Sequence, residues 1–431
     1  MELTTRLDRT RYHWLGPAVE KVQPAALLVE VTTPALPASE RTAPASLVVV
    51  LDRSGSMGGD RLGHAQRALC EVVDRLSPTD VFGLVAFDDT VEVTVPAGPV
   101  TDPEGVKRAI CSLRPRGTTD LAAGLLRGLK EARRLEVEAG VRVLLISDGH
   151  ANRGVTDPAI IGPKVAEFVD SRITTSSLGV GLGYDETLLD VIAKEGTGDM
   201  YFAAEADTAA GAIAQECGEL LGHRFLQCRL TISPGNGVGA VTLLNDLPHR
   251  TTPTGDLVIE LGNLGSDRSR SLVLLFDPKQ AIKPGRRKVC TLRLAYTLAD
   301  DLSDGSTSQT VWARIAAPDD KPGRIDRQVT SEVLFQQLQR HHAAAAQALY
   351  RGAIERAVSI FRRMLSELQA GWSQIPLDRR TEFEPLVDQV THALELLERD
   401  AAGNASATSK HSYALSALGM RKRDRRRPPT S

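Results

Sequence analysis

Aromatic side chains are scarce in this sequence of 431 residues, which has 9 Phe, 6 Tyr and 3 Trp, or 4% of the chain. Hydrophobic residues still make up 42% of the chain, and this content excludes disorder over its whole length. No apolar run approaches the roughly 20 residues that a membrane-spanning helix needs. Residues 1–14 carry charges throughout and lack the apolar segment of a secretory signal peptide. We therefore expect a cytoplasmic protein with no membrane partner.

Cysteine is also scarce, and the few cysteines are scattered. They are Cys70, Cys111, Cys217, Cys228 and Cys290, and none of them forms a CxxC pair. Zinc sites and disulfide frameworks are recognised by closely and regularly spaced cysteines. We therefore expect reduced thiols that are mostly buried in the protein core.

Three sequence signatures of common enzymes are missing as well. They are the G-x-x-x-x-G-K-[ST] phosphate loop, the G-x-S-x-G nucleophile elbow and the H-E-x-x-H zinc motif. A phosphatase that works through a phosphoaspartate would carry a second acid where this chain has Ser54, two residues after Asp52. The sequence therefore predicts a protein that is not an enzyme.

Strand and helix patterns alternate between residues 46 and 222. Residues 46–51 form a continuous apolar run, which is typical of a parallel strand buried on both faces. Residues 81–87 and 91–95 indicate an antiparallel hairpin, with Asp88 and Asp89 as ordinary turn residues. Apolar residues at helical spacing predict helices over 61–76, 103–113, 121–135, 158–169, 185–194 and 208–221. This alternation predicts a doubly wound α/β fold with a mostly parallel sheet.

Short β-rich segments replace the helices between residues 223 and 320, and their spacing suggests an antiparallel β-sandwich. Residues 25–31 have the same character, and only a joint rich in Pro and Ala separates them from the α/β region. We therefore expect the N-terminal segment 1–45 to contribute a strand to the sandwich over 223–320. The α/β domain over 46–222 would then be inserted into the β-sandwich domain.

Helical spacing returns over residues 325–400, where Pro376 separates two apolar faces, and it predicts a helical hairpin or a small bundle. Residues 401–431 are small, polar and then basic, and we expect them to form a disordered basic tail. The segment 421–427 has six basic residues and one acidic residue. Subtracting its net +5 from the formal charge of −2 leaves −7 for the rest of the chain. The folded body is therefore acidic.

Polar motifs fall at three places where predicted strands end or helices begin. Asp52, Ser54 and Ser56 form a D-x-S-x-S motif directly after the first buried strand. Thr119 precedes a predicted helix, and Asp148 follows the strand over 141–146. Ligands of open α/β sheets bind beyond the carboxyl ends of the strands. We therefore expect these side chains to converge at that edge of the sheet.

The predicted cluster offers hydroxyl and carboxylate oxygens, which suit Mg²⁺, or else Mn²⁺ or Ca²⁺, rather than zinc or copper. Ser54 and Ser56 can point at one ion, and Thr119 adds a third hydroxyl. Asp52 and Asp148 supply negative charge, directly or through water. So few carboxylates leave a coordination position for an Asp or Glu of a protein partner. The structural alternative is a serine-rich turn in which Asp52 caps the following helix.

With these residues, the segment 46–222 resembles a von Willebrand factor A (VWA) domain. Asp52, Ser54, Ser56, Thr119 and Asp148 match the metal-ion-dependent adhesion site (MIDAS) of that family. The flanking segments are similar to those of bacterial cytosolic members. The resemblance implies an interaction module, of a kind that often works beside AAA+ ATPases, kinases or phosphatases.

We therefore expect a non-enzymatic adaptor or scaffold that binds a partner carboxylate through Mg²⁺. Two alternatives stay open. The first is a nucleic-acid-associated protein that uses the basic tail and the helices, although the tail lacks interleaved aromatic residues. The second is a non-catalytic subunit of an AAA+ ATPase complex.

Overall fold

The structure of this chain is a computed structural model. It describes residues 1–13, 24–35, 44–135, 137, 139–148, 151–180, 184–203, 223–278, 283–317, 319–321, 323–399 and 424–426. The helix predicted over 208–221 and most of the predicted basic tail lie outside the described residues.

The strands of the described ranges are β1 (Glu2–Leu7), β2 (Ala25–Thr32), β3 (Ser46–Asp52), β4 (Val81–Phe87), β5 (Val91–Pro99), β6 (Val141–Ser147), β7 (Ile173–Val180), β8 (Thr197–Ala203), β9 (His223–Pro234), β10 (Val238–Leu243), β11 (His249–Thr251), β12 (Leu257–Gly265), β13 (Arg268–Pro278), β14 (Gly285–Leu298), β15 (Asp304–Ile315) and β16 (Asp424–Arg426). The helices are α1 (Asp60–Arg75), α2 (Pro103–Ser112), α3 (Leu121–Arg134), α4 (Pro158–Val169), α5 (Glu186–Glu195), α6 (Arg327–Tyr350), α7 (Ile354–Gly371) and α8 (Arg380–Arg399).

The α/β part of the chain is built on one six-stranded sheet in the order β5-β4-β3-β6-β7-β8. All neighbours in it run parallel except β4 and β5, which form the predicted antiparallel hairpin. Alternate residues of β3 enter different cores. Leu47 and Val49 pack with α1 and α2 on one face, whereas Val48 and Val50 pack with α3, α4 and α5 on the other. The predicted doubly wound α/β fold is confirmed.

Two five-stranded sheets form a β-sandwich around a common core. One sheet has the order β1-β2-β13-β10, with β16 also paired to β13, and the other has the order β11-β12-β9-β14-β15. The N-terminal strand β2 pairs antiparallel with β13, from Ala25 opposite Phe276 to Thr32 opposite Ser269. The α/β part follows β2 and precedes β9, so it is inserted into the sandwich as expected. The sequence prediction missed β1, which pairs with β2 at the edge.

The C-terminal helices form a small bundle that packs on the sandwich. Ala26 and Leu28 of β2 point away from the sandwich core and contact Val329 of α6. The bundle has a core of its own from α6, α7 and α8. Inside it, Arg379 Nη2 lies 2.6 Å from Glu332 Oε2, and both side chains are almost fully buried. No helix within the described residues is long and apolar enough to cross a membrane.

Three residues of the predicted basic tail form a short strand in the structure. Asp424–Arg426 forms β16, which pairs antiparallel with Arg268, Ser269 and Arg270 of β13. Backbone pairing with the start of β13, ahead of the residues that pair with β10, accounts for this strand, and composition alone cannot reveal such pairing. The flanking residues 401–423 and 427–431 lie outside the described residues.

The buried ion pair of the helical bundle gives a prediction about stability. Glu332→Gln leaves the buried Arg379 with only the more exposed Glu382 as a carboxylate partner. We expect the free energy of unfolding to fall by about 3 kcal/mol, because a buried charge loses its neutralising partner. Urea denaturation of the full chain measures the change. Arg363→Gln, in the exposed Arg363–Glu367 pair, is the control and should cost less than about 1 kcal/mol. Equal losses in the two variants would contradict the prediction.

Candidate metal centre

A buried carboxylate ends the central strand of the α/β sheet. Asp52 is fully buried, and its Oδ1 accepts a hydrogen bond of 2.8 Å from the backbone N–H of Ser54. Its Oδ2 accepts a hydrogen bond of 2.6 Å from the hydroxyl of Ser147, at the end of β6. Asp52 therefore closes its own loop and ties that loop to the neighbouring strand. It does not cap a helix, because the short 3-10 turn that follows has no side-chain cap.

Hydroxyl and carboxylate oxygens gather directly beyond Asp52. The hydroxyl oxygens of Ser54 and Ser56 are 3.0 Å apart. The Ser56 hydroxyl donates to Asp148 Oδ1 over 2.7 Å, although these residues are 92 positions apart in the sequence. The structure thus brings together Asp52, Ser54, Ser56 and Asp148, as the strand-end argument predicted.

Thr119 reaches this edge through the backbone of its loop. The Gly55 N–H donates to the Gly117 carbonyl over 3.1 Å, which joins the D-x-S-x-S loop to the loop of Thr119. The N–H of Thr119 donates to Asn152 Oδ1 over 3.0 Å, and the side chain of Thr119 is buried. Asp120 then begins α3 by accepting a hydrogen bond from the Ala123 N–H. The loop of Thr119 is therefore held between the D-x-S-x-S loop and Asn152. The sequence did not reveal the contact with Asn152.

The donor set fits a small, hard divalent cation. In an octahedral Mg²⁺ site with bonds of about 2.1 Å, adjacent ligand oxygens are about 3.0 Å apart. The Ser54 and Ser56 hydroxyl oxygens already have this separation. The described residues contain no cluster of three or more His, Cys, Asp or Glu side chains placed to hold a metal.

The electrostatics of the site also favour a bound cation. Burial raises the pKa of the Asp52 carboxyl to about 6, while hydrogen bonds from Ser147 and Ser54 oppose the rise and the nearby Asp148 adds to it. A buried carboxylate beside a second one is costly to ionise, and a cation next to both stabilises their charged forms. The structure therefore presents a negative, oxygen-lined position at the strand ends.

A buried aspartate clamps the loops that carry this position. Asp88, in the β4–β5 turn, has its Oδ2 within 2.9 Å of Arg53 Nε and within 2.7 Å of Arg116 Nε. Burial by itself would raise the pKa of Asp88, but the hydrogen bonds from Arg116 and Thr90 and the charge of Arg53 hold it well below its usual range. Arg53 lies inside the D-x-S-x-S motif, and Arg116 directly precedes Gly117. Asp88 thus joins both loops, which is more than the turn role expected from the sequence.

A protein-family model matches the segment that carries these loops. Residues 47–150, which contain the strand-end motifs, match the family model described as von Willebrand factor type A domain. This segment is a VWA domain.

The curated relatives match only part of this chain. An uncharacterized protein of Synechocystis is 25% identical over 280 residues, which are 62% of this chain and 64% of the relative. The uncharacterized protein YfbK of Escherichia coli is 30% identical over 186 residues, or 42% of this chain and 32% of the relative. Human inter-alpha-trypsin inhibitor heavy chain H4 is 27% identical over 213 residues, or 47% of this chain and 23% of the relative. The chain therefore spans less than two thirds of the length of each of these relatives.

Two solved structures share the fold over nearly the whole chain. A von Willebrand factor type A protein from Catenulispora acidiphila has a TM-score of 0.73 and 15% identity, and the match covers 97% of this chain and 96% of that one. The ArnB paralog VWA2 from Sulfolobus acidocaldarius has a TM-score of 0.62 and 14% identity, with coverage of 97% and 98%. At this identity, the likeness establishes the fold of VWA domain, sandwich and helices together.

Sequence reasoning missed a basic side chain at the rim of the VWA domain's site. Arg61 Nη1 donates to Asp148 Oδ2 over 2.8 Å and to the Ser56 carbonyl over 2.9 Å. Asp148 is fully buried, whereas the Arg61 side chain is 43% exposed. Arg61 lies in the first turn of α1, five residues after Ser56, and its closeness to the motif in the sequence was the available signal. Arg61 adds positive charge beside the candidate metal position.

The Asp88 clamp gives a prediction about stability, and the neighbouring Asp89 provides the control variant. Asp88→Asn removes the buried carboxylate partner of Arg53 and leaves it only the exposed Glu92, so we expect a loss of about 3 kcal/mol in unfolding free energy. Asp89→Asn removes only an exposed contact of 3.5 Å with Arg153 and should cost less than about 1 kcal/mol. Chemical denaturation of both variants measures the difference. The clamp would be disproved if Asp88→Asn were as stable as Asp89→Asn.

Proposed function

We propose that this chain is a non-enzymatic adaptor that binds a protein partner through a divalent metal at the carboxyl edge of its VWA domain. VWA domains generally bind proteins, which supports the class of function. The observation that carries the proposal is the converging set of Ser54, Ser56 and Asp148 oxygens beside the buried Asp52. Together with Thr119, these residues would form the MIDAS that the family resemblance implies.

The residues of this site would divide the work between coordination and charge. The hydroxyls of Ser54, Ser56 and Thr119 are the proposed direct ligands. Asp52 and Asp148 supply negative charge, and Asp52 already uses both oxygens in hydrogen bonds to the protein. Mg²⁺ is the proposed ion because it prefers oxygen ligands in a near-octahedral arrangement and keeps positions for outside ligands. The ion would supply an electron-poor centre that accepts an Asp or Glu of the partner.

The rest of the molecule suits a scaffold. The sandwich holds both ends of the inserted VWA domain, and the helical bundle adds a second surface on the far side of β2 and β13. An AAA+ ATPase, a kinase or a phosphatase is the class of partner that the family resemblance suggests. We place this function in the cytoplasm.

Removal of one ligand tests the metal site directly. Ser56 is exposed and its hydroxyl contacts Ser54 and Asp148, so Ser56→Ala should leave the fold intact. We expect Mg²⁺ affinity to fall by about tenfold, or ~1.4 kcal/mol, in isothermal titration calorimetry. Ser112→Ala, an exposed serine at the end of α2, is the control and should bind as the original chain does. An unchanged affinity in Ser56→Ala would reject the site.

Partner capture tests the function built on that site. The original chain should retain partners from native lysate in Mg²⁺, release them in EDTA and recover them when Mg²⁺ is restored, whereas Ser56→Ala should capture them weakly throughout. If the amount of captured partner is the same with EDTA and with Ser56→Ala, the partners bind elsewhere on the chain.

The positive charge of Arg61 gives a separate prediction about metal affinity. Arg61→Gln removes a cation that contacts the Asp148 carboxylate, so we expect Mg²⁺ to bind more tightly, by on the order of 1 kcal/mol at low salt. Arg67→Gln makes the same charge change at an exposed position farther along α1 and should have a much smaller effect. Calorimetric titrations in low salt compare the two variants. Weaker binding in Arg61→Gln would mean that Arg61 positions Asp148 rather than opposing the ion.

A further inference from the structure

Helices α1 and α2 lie side by side on one face of the VWA sheet and are joined by polar contacts. The side-chain amide of Gln66 donates to the Ile110 and Leu113 carbonyls over 2.8 and 3.1 Å. Two turns farther along α1, Asp74 accepts a hydrogen bond of 2.8 Å from Lys107 Nζ of α2. These contacts fix the relative position of the two helices at two levels along α1, one at Gln66 and one at Asp74.

Two thiols face each other between these levels. Cys70 lies four residues after Gln66 and four before Asp74, so the three side chains share one face of α1. Cys111 lies four residues after Lys107 on the matching face of α2. The two sulfur atoms are 3.8 Å apart, although the residues are 41 positions apart in the sequence. The flanking contacts therefore hold the thiols together.

The two thiols differ in access to reagents. Cys111 is exposed, whereas Cys70 is half-buried against the core beneath α1. Burial, together with the hydrogen bond to Cys111, raises the pKa of the Cys70 thiol to about 11. Since the thiolate is the reactive form, Cys111 is the sulfur that meets a dissolved oxidant first. The other cysteines of the described residues, Cys228 and Cys290, are buried in the sandwich.

We propose that Cys70 and Cys111 form an oxidation site at which a hydroperoxide converts the two thiols into an intramolecular disulfide. The Cys111 thiolate attacks the peroxide oxygen, the O–O bond breaks, and an alcohol or water leaves with a proton. Cys111 is then a sulfenic acid. The Cys70 sulfur attacks the Cys111 sulfur, the S–S bond forms, and the hydroxyl leaves as water with the Cys70 proton. The peroxide gains the two electrons that the thiols lose.

The disulfide would tie α1 to α2 at a third level. A disulfide bond is about 2.05 Å long, so the sulfur atoms need to approach by less than 2 Å from their present separation. Because α1 begins at Asp60, directly after the D-x-S-x-S loop, the bond would anchor the helix that follows the candidate metal site. This proposal stands on the helix pair alone and does not depend on metal binding.

Peptide mapping after oxidation tests the site. The reduced full chain is treated with hydrogen peroxide under native conditions, and its free thiols and cross-linked peptides are measured by mass spectrometry. We expect the loss of two thiols per chain, a linked peptide containing Cys70 and Cys111, and recovery of both thiols with dithiothreitol. In Cys70→Ser, Cys111 should remain a sulfenic acid that dimedone traps.

A matched double variant shows whether disulfide formation with Cys70 depends on the direction of the second thiol or only on its exposure. Cys111→Ser combined with Ser112→Cys moves the thiol to the next exposed position of α2, which points in another direction around the helix. We expect this variant to give no intramolecular disulfide with Cys70. The proposal is overturned if the original chain gives only a sulfenic or sulfinic acid at Cys111, or only disulfide-linked dimers of chains, while Cys70 stays reduced. Equal cross-linking in the double variant would also overturn it.

Discussion

The candidate metal site at the carboxyl ends of the strands depends on how the protein accommodates one buried carboxylate. Asp52 ends a strand that is buried along its whole length, so its charge cannot be solvated by bulk water. Protein hydrogen bonds replace part of that hydration, one from the backbone of its own loop and one from the hydroxyl of Ser147. Leu51 lies opposite Ile146 in the parallel register of β3 and β6, and this register brings Ser147 beside Asp52. The sheet therefore sets the geometry on which the loops beyond it are built.

The loops need a second constraint, because a loop fixed only at Asp52 could not hold its hydroxyls in one arrangement. Asp88 provides it by accepting hydrogen bonds from Arg53 and Arg116, and the Arg116 N–H donates to the Arg53 carbonyl over 2.8 Å. Asp88 is paired with two guanidinium groups, and Arg53 also pairs with Glu92, so Asp88 would not compete with Asp52 and Asp148 for a cation. Preorganised ligands of this kind reduce the reorganisation needed when an ion binds.

The sequence was sufficient for those parts of the molecule that follow from local pattern. Continuous apolar runs predicted the parallel strands, and the strand ends placed Asp52, Ser54, Ser56 and Asp148 at one edge. Contacts made only in three dimensions were not predictable. Arg61 reaches Asp148 across 87 positions, and Asp88 reaches Arg116 across 28 positions. The strand β1 was missed because its sequence, ELTTRL, has too few apolar residues to mark it, and its backbone pairing with β2 decides its conformation.

The insertion of the VWA domain also decides which edge of its sheet contacts the sandwich. The chain enters the domain at Ser46, the amino end of β3, and the sandwich lies against the amino ends of the parallel strands. Lys194, near the end of α5, pairs with Asp246 of the sandwich, and strand β12 contacts β8. Gly262 of β12 comes so near the Thr197 carbonyl that a Cβ there would lie 2.8 Å from its oxygen. The candidate metal position lies at the carboxyl ends of the same strands, so the sandwich contacts the edge of the sheet opposite to it.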